Sequence, residues 1–189
     1  SGPERHLVRL AALNPSTVAM IFPSHFVQTH LSTFSNAFNS PNSYILSNGL
    51  SREYDISFED RFTNHPLRSV VIIGRISIEK GQDALIKVAE ALPQMTFHFL
   101  GDNDFTSSEY KHNLYKTMPS NVCFHGKVAD VPTKVRQLKA QICVVPSRCN
   151  ESFGLSAIEG MALSCLTLVR NKGGLKEIAA QTKALTFTS

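Results

Sequence analysis

Two glutamates eight residues apart, Glu151 and Glu159, bracket a Phe153-Gly154 turn, and two cations five residues apart, Arg75 and Lys80, stand in a loop that closes on Gly81. A carboxylate accepts paired hydrogen bonds from neighbouring hydroxyls, so the glutamates suit a ribose diol or a sugar face. Two cations beside the free N–H groups of a helix N-terminus suit a diphosphate. Gly154 would let backbone N–H groups approach a phosphate closely. Taken singly, each feature has a plainer account: solvated loop cations, an exposed loop acid, and an early-helix acid favoured by the dipole. The chain has no G-x-G-x-x-G and no G-x-x-x-x-G-K-[ST], which removes the usual dinucleotide and P-loop readings.

Other polar groups are expected to be structural. Gly173-Gly174 reads as a tight turn. Asp102-Asn103-Asp104 has the composition of a solvated turn, although two carboxylates could in principle hold a divalent ion. His25, His30, His98 and His125 lie in or beside expected elements and read as packing or surface residues. The four cysteines, at 123, 143, 149 and 165, include no C-x-x-C, and read as the reduced, mostly buried thiols of a cytosolic protein.

Positioning such loops requires a sheet whose strand ends converge. From residue 69 onward, short apolar runs alternate with stretches of helical period. Strands are expected at Ser69–Gly74, Met95–Gly101, Asn121–His125, Gln141–Pro146, Cys165–Arg170 and Ala184–Thr188. Helices are expected at Asp83–Leu92, Ser107–Thr117, Val131–Lys139, Gly154–Leu163 and Gly174–Ala180. The helix Asp83–Leu92 should bury Leu85, Ile86, Val88, Ala89 and Leu92. Strands that are apolar without alternation belong to a sheet covered on both faces, hence to a parallel, doubly wound α/β fold. In such a fold ligands bind beyond the carboxyl ends of the strands, where Arg75, Lys80 and Glu151 would lie. The first 66 residues are less regular, with a strand at Thr17–Pro23, a helix at Ser24–Phe34, a short strand at Ser43–Leu46 and a polar stretch from Ser47 to Pro66.

Composition narrows the class further. The chain has 189 residues, 42% hydrophobic and 18% charged, with 19 lysines and arginines against 15 acids, a net charge of +4. Its apolar runs fall far short of the ~20 residues a membrane helix needs. The cations are scattered among acids with no aromatic-basic stripe, so nucleic acid is excluded as a partner. The N-terminus lacks an initiator Met and a secretory signature, and reads as a fragment end.

The order G-R-x(4)-K-G from Gly74, F-H-G-x-V from Phe124, P-S-x(3)-E-S-F-G-L-x(3)-E-G-M-A from Pro146, and G-G-x-x-E from Gly173 resembles the donor-binding domain of the family 4 (group 1) glycosyltransferases. Pro23-Ser24-His25-Phe26-Val27 resembles the segment that closes that family's N-terminal domain, and Ser47-Asn48-Gly49-Leu50 its interdomain loop. The resemblance implies one Rossmann-like half of a GT-B fold: residues 1–66 as the end of the N-terminal domain and linker, 67–189 as the donor domain, truncated at its C-terminus. It further implies transfer of a sugar, with retention, from a nucleotide-diphosphate sugar to a glycan or lipid-linked acceptor held by the missing domain. Arg75 and Lys80 would neutralise the diphosphate, making metal unnecessary, and Glu151 would contact the transferred sugar. These three are the implied catalytic residues. Gly74, Glu159 on the ribose, Phe153, Gly154 and Leu155 through their backbone, and Gly126, Lys127 and Val128 near the base complete the implied donor site. The localisation implied is cytoplasmic, with peripheral association at the membrane face, and the fragment should be inactive alone. The alternatives are a sugar-nucleotide epimerase on the same fold and a non-catalytic sugar-nucleotide-binding module. One departure is Ser164-Cys165-Leu166, where a Gly and a Pro commonly follow the M-A.

Overall fold

The computed structural model describes residues 19–52, 54, 66–102 and 107–188. The chain forms two compact units, residues 1–49 and 50–189. In the first, β1 (Met20–Phe22) and β2 (Ser43–Ile45) pair in parallel, with Ile21 opposite Tyr44. Helix α1 (His25–Ser32) connects them, capped by Ser24, whose Oγ accepts from Val27 N at 3.2 Å. Phe22 and Phe38 meet edge to face in its small core. Thr17 and Val18, at the start of the expected first strand, lie outside the described residues.

The second unit carries β3 (Ser69–Ile73), α2 (Gln82–Ala91), β4 (Thr96–Leu100), α3 (Ser108–Lys116), β5 (Val122–Phe124) and α4 (Val131–Gln137). These are followed by β6 (Ile142–Val145), α5 (Leu155–Ala162), β7 (Leu166–Arg170), α6 (Gly173–Gln181) and β8 (Leu185–Phe187). The strands form one parallel sheet in the order β5-β4-β3-β6-β7-β8.

Burial on both faces explains the unbroken apolar runs. Val71, Ile73, Cys143 and Val145 pack with Val135 of α4, Ala157 of α5 and Leu175 and Ile178 of α6. Val70, Ile72, Phe97 and Phe99 pack with Leu85, Ile86 and Ala89 of α2 and Leu114 of α3. Helices therefore cover both sides, and the fold is the expected doubly wound α/β. Two details differ from the expectation. Val88 is 41% exposed, because the buried stripe of α2 is satisfied by positions 85, 86 and 89 and leaves 88 on its solvent edge. In β7 only Thr167 and Val169 are fully buried, so this strand, next to the sheet edge, alternates. Cys143 and Cys165 are buried, and all four cysteines are free thiols.

The order of the sheet reverses between β3 and β6. The register Val71↔Cys143 brings the carboxyl ends of these two strands level, so the loops that follow them face each other across the switch point.

Candidate functional site

The loop after β3 is held at several points. Gly74 adopts φ +132, a conformation L side chains rarely reach, and its N–H donates to Leu100 O at 2.9 Å. Ile76 is buried and its N–H donates to Asp102 O at 2.8 Å. Gln82, fully buried, donates from Nε2 to Arg75 O at 2.8 Å and accepts from Ser77 N at 3.3 Å. A one-turn 3₁₀ helix, Ile78–Lys80, then ends on left-handed Gly81. A Cβ at Gly81 would stand 2.5 Å from Pro146 O, so glycine is what lets this loop press against the one after β6. Arg75 Nη2 bonds Glu79 Oε1 at 2.9 Å, but both side chains are nearly half exposed. Such a solvated pair holds its arginine weakly and leaves the guanidinium able to turn to an anion.

Across the switch point the principal contact is ionic. Lys80 Nζ donates to Glu151 Oε1 at 2.6 Å, with both side chains largely shielded. The hydroxyl of buried Ser147 donates to the same oxygen. A further cradle supports Glu151 from α6, whose Gly174 N–H donates to Glu151 O at 2.7 Å. A Cβ on Gly174 would meet Phe153 O at 2.8 Å, and one on Gly173 would meet Asn150 Cα and Glu151 N at 2.9 Å. The glycine pair, expected to be only a tight turn, is thus the surface on which the Glu151 loop rests.

Glu159 is the fifth residue of α5, and its Oε1 accepts from Tyr54 OH at 2.9 Å. Burial pushes its carboxyl above the ordinary glutamate value, and the Tyr54 hydrogen bond only partly opposes this. Gly154 caps α5 at φ +110, and a Cβ there would sit 2.4 Å from Leu175 Cδ2. The left-handed backbone demands glycine at that turn, and the side chains of Leu175 and Ile178 in α6 close over it. The Phe153 side chain is buried in the core and leaves only its backbone to the site, whereas Leu155 is 40% exposed.

A cavity of about 300 Å³ opens at the ends of β3, β4 and β5, bounded by Gly74, Arg75, Asp102, Lys127, Val128 and Val131. Gly126, at φ +65, ties this wall to the sheet by accepting from Gly101 N at 2.9 Å. The sequence-derived residues therefore fall into three places on one edge of the sheet: Gly74, Arg75, Lys127 and Val128 around the cavity, Lys80 with Glu151 at the switch point, and Glu159 on α5. Asn103 and Asp104 lie outside the described residues.

Sequence reasoning missed Tyr54, Gln82 and the contacts of Arg148 with Asp83, all of which act on the site through tertiary contacts. It also missed the pairing of His98 Nδ1 with His125 Nε2 at 3.1 Å beneath α4. The register pairs His98 with Cys123, and His125 follows just past the end of β5, a proximity that only the pairing of β4 with β5 creates.

A parallel sheet with helices on both faces and polar loops gathered at its switch point defines a Rossmann-like binding domain. The sequence profile of the glycosyl transferases group 1 family matches residues 55–188, and the chain belongs to that family. It is 32% identical over 108 residues to the alpha-galactosylglucosyldiacylglycerol synthase of Streptococcus pneumoniae, covering 54% of this chain and 28% of that protein. It is 34% identical over 118 residues to the mannosylfructose-phosphate synthase of Agrobacterium fabrum, covering 56% of this chain and 26% of that protein. Among solved structures it resembles Anabaena HepE in complex with UDP and glucose, at a TM-score of 0.79 and 20% identity, covering 99% of this chain and 54% of that one. These figures establish a shared GT-B half, and the chain spans about a quarter of the length of the two curated relatives.

Proposed function

We propose that this chain is the donor-binding part of a glycosyltransferase that moves a sugar, with retention of configuration, from a nucleotide-diphosphate sugar to a glycan or lipid-linked acceptor. The observation that carries the reading is the Lys80–Glu151 contact of 2.6 Å across the switch point, the crevice in which open α/β sheets bind ligands; a cation and a carboxylate together there suit a diphosphate and the hydroxyls of its sugar.

In this reading the bond between the anomeric carbon and the diphosphate oxygen breaks, the acceptor oxygen bonds that carbon from the same face, and the acceptor's proton passes to the departing diphosphate oxygen. Charge growing on the departing phosphate is met by Arg75 and Lys80, which turn from Glu79 and Glu151 to the diphosphate as the donor binds and so stand beside it before the bond breaks. These cations supply the countercharge, and no divalent metal is needed. Lys80 leaves Glu151 for the phosphate, which frees the Glu151 carboxylate for hydroxyls of the transferred sugar. Glu159 accepts from the ribose through the oxygen that Tyr54 does not occupy. The cavity beside Lys127 and Val128 receives the base.

The acceptor must be held against the anomeric carbon, a positioning worth roughly 7–11 kcal/mol of barrier. The chain alone therefore transfers no sugar at a useful rate. The protein works at the cytoplasmic side, with peripheral contact to the membrane face where the acceptor is lipid-linked. Among the described residues no helix is long and apolar enough to cross a membrane.

The test is calorimetric titration of the chain with uridine, guanosine and adenosine diphosphates and their hexose conjugates, with and without EDTA. Binding of at least one that survives the chelator, and is weakened about tenfold in Lys80→Met, is the expected result. No binding, or binding abolished by EDTA, refutes the reading.

A further inference from the structure

Arg148 stands in the loop that follows β6. It reaches back to the loop that carries Lys80. Its Nη1 donates to Ile78 O at 3.0 Å and to Asp83 Oδ1 at 2.7 Å, and its Nη2 to Asp83 Oδ2 at 2.6 Å. Ile78 and Asp83 lie on either side of Lys80 and Gly81, so one planar group fastens both ends of the segment that presents the Lys80 ammonium. The Arg148 backbone joins the same segment, since its N–H donates to Glu79 O at 2.7 Å. From the other side, Lys172 Nζ donates to Arg148 O at 2.6 Å and ties in the loop before α6.

The clamp is itself braced. Tyr110 of α3 donates its hydroxyl to Asp83 Oδ1 at 3.0 Å. Burial alone would raise the Asp83 carboxyl, but the hydrogen bonds from Arg148 and Tyr110 and the Arg148 charge outweigh it and leave the group below its ordinary value. A bidentate arginine–carboxylate fork has a fixed geometry that a lysine cannot reproduce. Arg148 stands three residues before Glu151. It therefore fixes both backbones from which Lys80 and Glu151 reach toward each other.

We propose that Arg148 is a positioning residue for the donor diphosphate: with Asp83 and Tyr110 it sets the place of the Lys80 ammonium relative to Glu151, and so the affinity of the phosphate site. This rests on the reading of Lys80 as a donor ligand.

The experiment measures binding of the tightest of uridine, guanosine and adenosine diphosphate to the full chain and to Arg148→Met, Arg148→Lys and Tyr110→Phe, each also combined with Lys80→Met. Arg148→Met should weaken the nucleotide by about tenfold, the scale of one misplaced charged hydrogen bond. Arg148→Lys, which keeps the charge and spares the fold, should lose nearly as much, and Tyr110→Phe less. In the Lys80→Met background Arg148→Met should cost under about twofold more, because the ammonium it positions is gone. Equal losses in both backgrounds, wild-type affinity in Arg148→Met, or full retention in Arg148→Lys overturns the proposal.

If Lys80→Met itself leaves affinity unchanged, the donor reading falls, and the clamp is judged without ligand. The coupling between Lys80→Met and Glu151→Gln in urea unfolding should then disappear when Arg148 is Met. A coupling that persists overturns the clamp.

Discussion

Replacing Gly174 by alanine tests whether the glycine pair is a platform for the Glu151 loop. The new methyl would lie 2.8 Å from Phe153 O, 2.9 Å from Phe153 Cα and 2.9 Å from Ser152 O. All three are backbone atoms, so no side-chain rotation relieves the clash, and either the loop or the first turn of α6 must move. Forcing a methyl into a packed site costs about 1–3 kcal/mol. Where the Gly174 N–H bond to Glu151 O, now 2.7 Å, breaks, it adds about 0.5–1.5 kcal/mol. Against this, alanine in a helix gains up to about 1 kcal/mol over glycine. The net loss is about 0.5–4.5 kcal/mol, which for a chain of this size, at about 2–4 °C per kcal/mol, lowers Tm by about 1–18 °C. Because Glu151 is the group displaced, the binding defect should resemble that of Glu151→Gln: the sugar-bearing donor weakens while the plain nucleoside diphosphate is nearly spared. Scanning calorimetry and paired titrations read both effects, with Gly49→Ala as the control, since nothing lies within 4 Å of a Cβ there. Unchanged Tm together with unchanged donor affinity would show that the Glu151 loop does not rest on α6.

Glu159→Gln should weaken the plain nucleoside diphosphate by about 1–3 kcal/mol, the worth of a charged hydrogen bond, whereas Glu151→Gln should not; equal effects of the two on the nucleotide refute the division of roles. Ser164 sits at φ +59 in the turn before β7. Ser164→Gly should therefore raise stability by about 0.5–1 kcal/mol in urea unfolding, the left-handed penalty of about 1–2 kcal/mol less the extra freedom glycine gives the unfolded chain. Burial, then the charges of His125 and Lys134, lower the His98 imidazole from 6.5 to about 4. The unfolded chain thus binds more protons in that window, and stability should fall as the pH drops below about 6.5 and level off near 4. Urea midpoints of wild type and His98→Phe at pH 7.5, 6 and 5 check this; parallel pH dependence in both proteins counts against it.

The sequence by itself determined the layered α/β architecture, because a strand such as Val70–Ile73, apolar at consecutive positions, has no stable place except between two covering layers. It also marked the loops expected to carry chemistry, since Arg75, Lys80 and Glu151 fall just beyond strand ends, with Glu159 in the helix that follows, and charge at those places is visible without coordinates. What it could not show was which loops touch. The order of the sheet is set by which strands bury each other, and only that order brings the end of β3 beside the end of β6 and closes Lys80 on Glu151. The same holds for Gly174, which reads locally as a turn but is a glycine because Phe153, twenty-one residues away in the chain, lies against its Cα. Arg148 and Asp83 likewise look like separate surface charges until the fold sets their side chains in a fork 2.6 Å apart. Local preference and periodicity act over a few residues, whereas clearance and pairing between loops are fixed by packing over the whole sheet, and that part of the site only the tertiary structure decided.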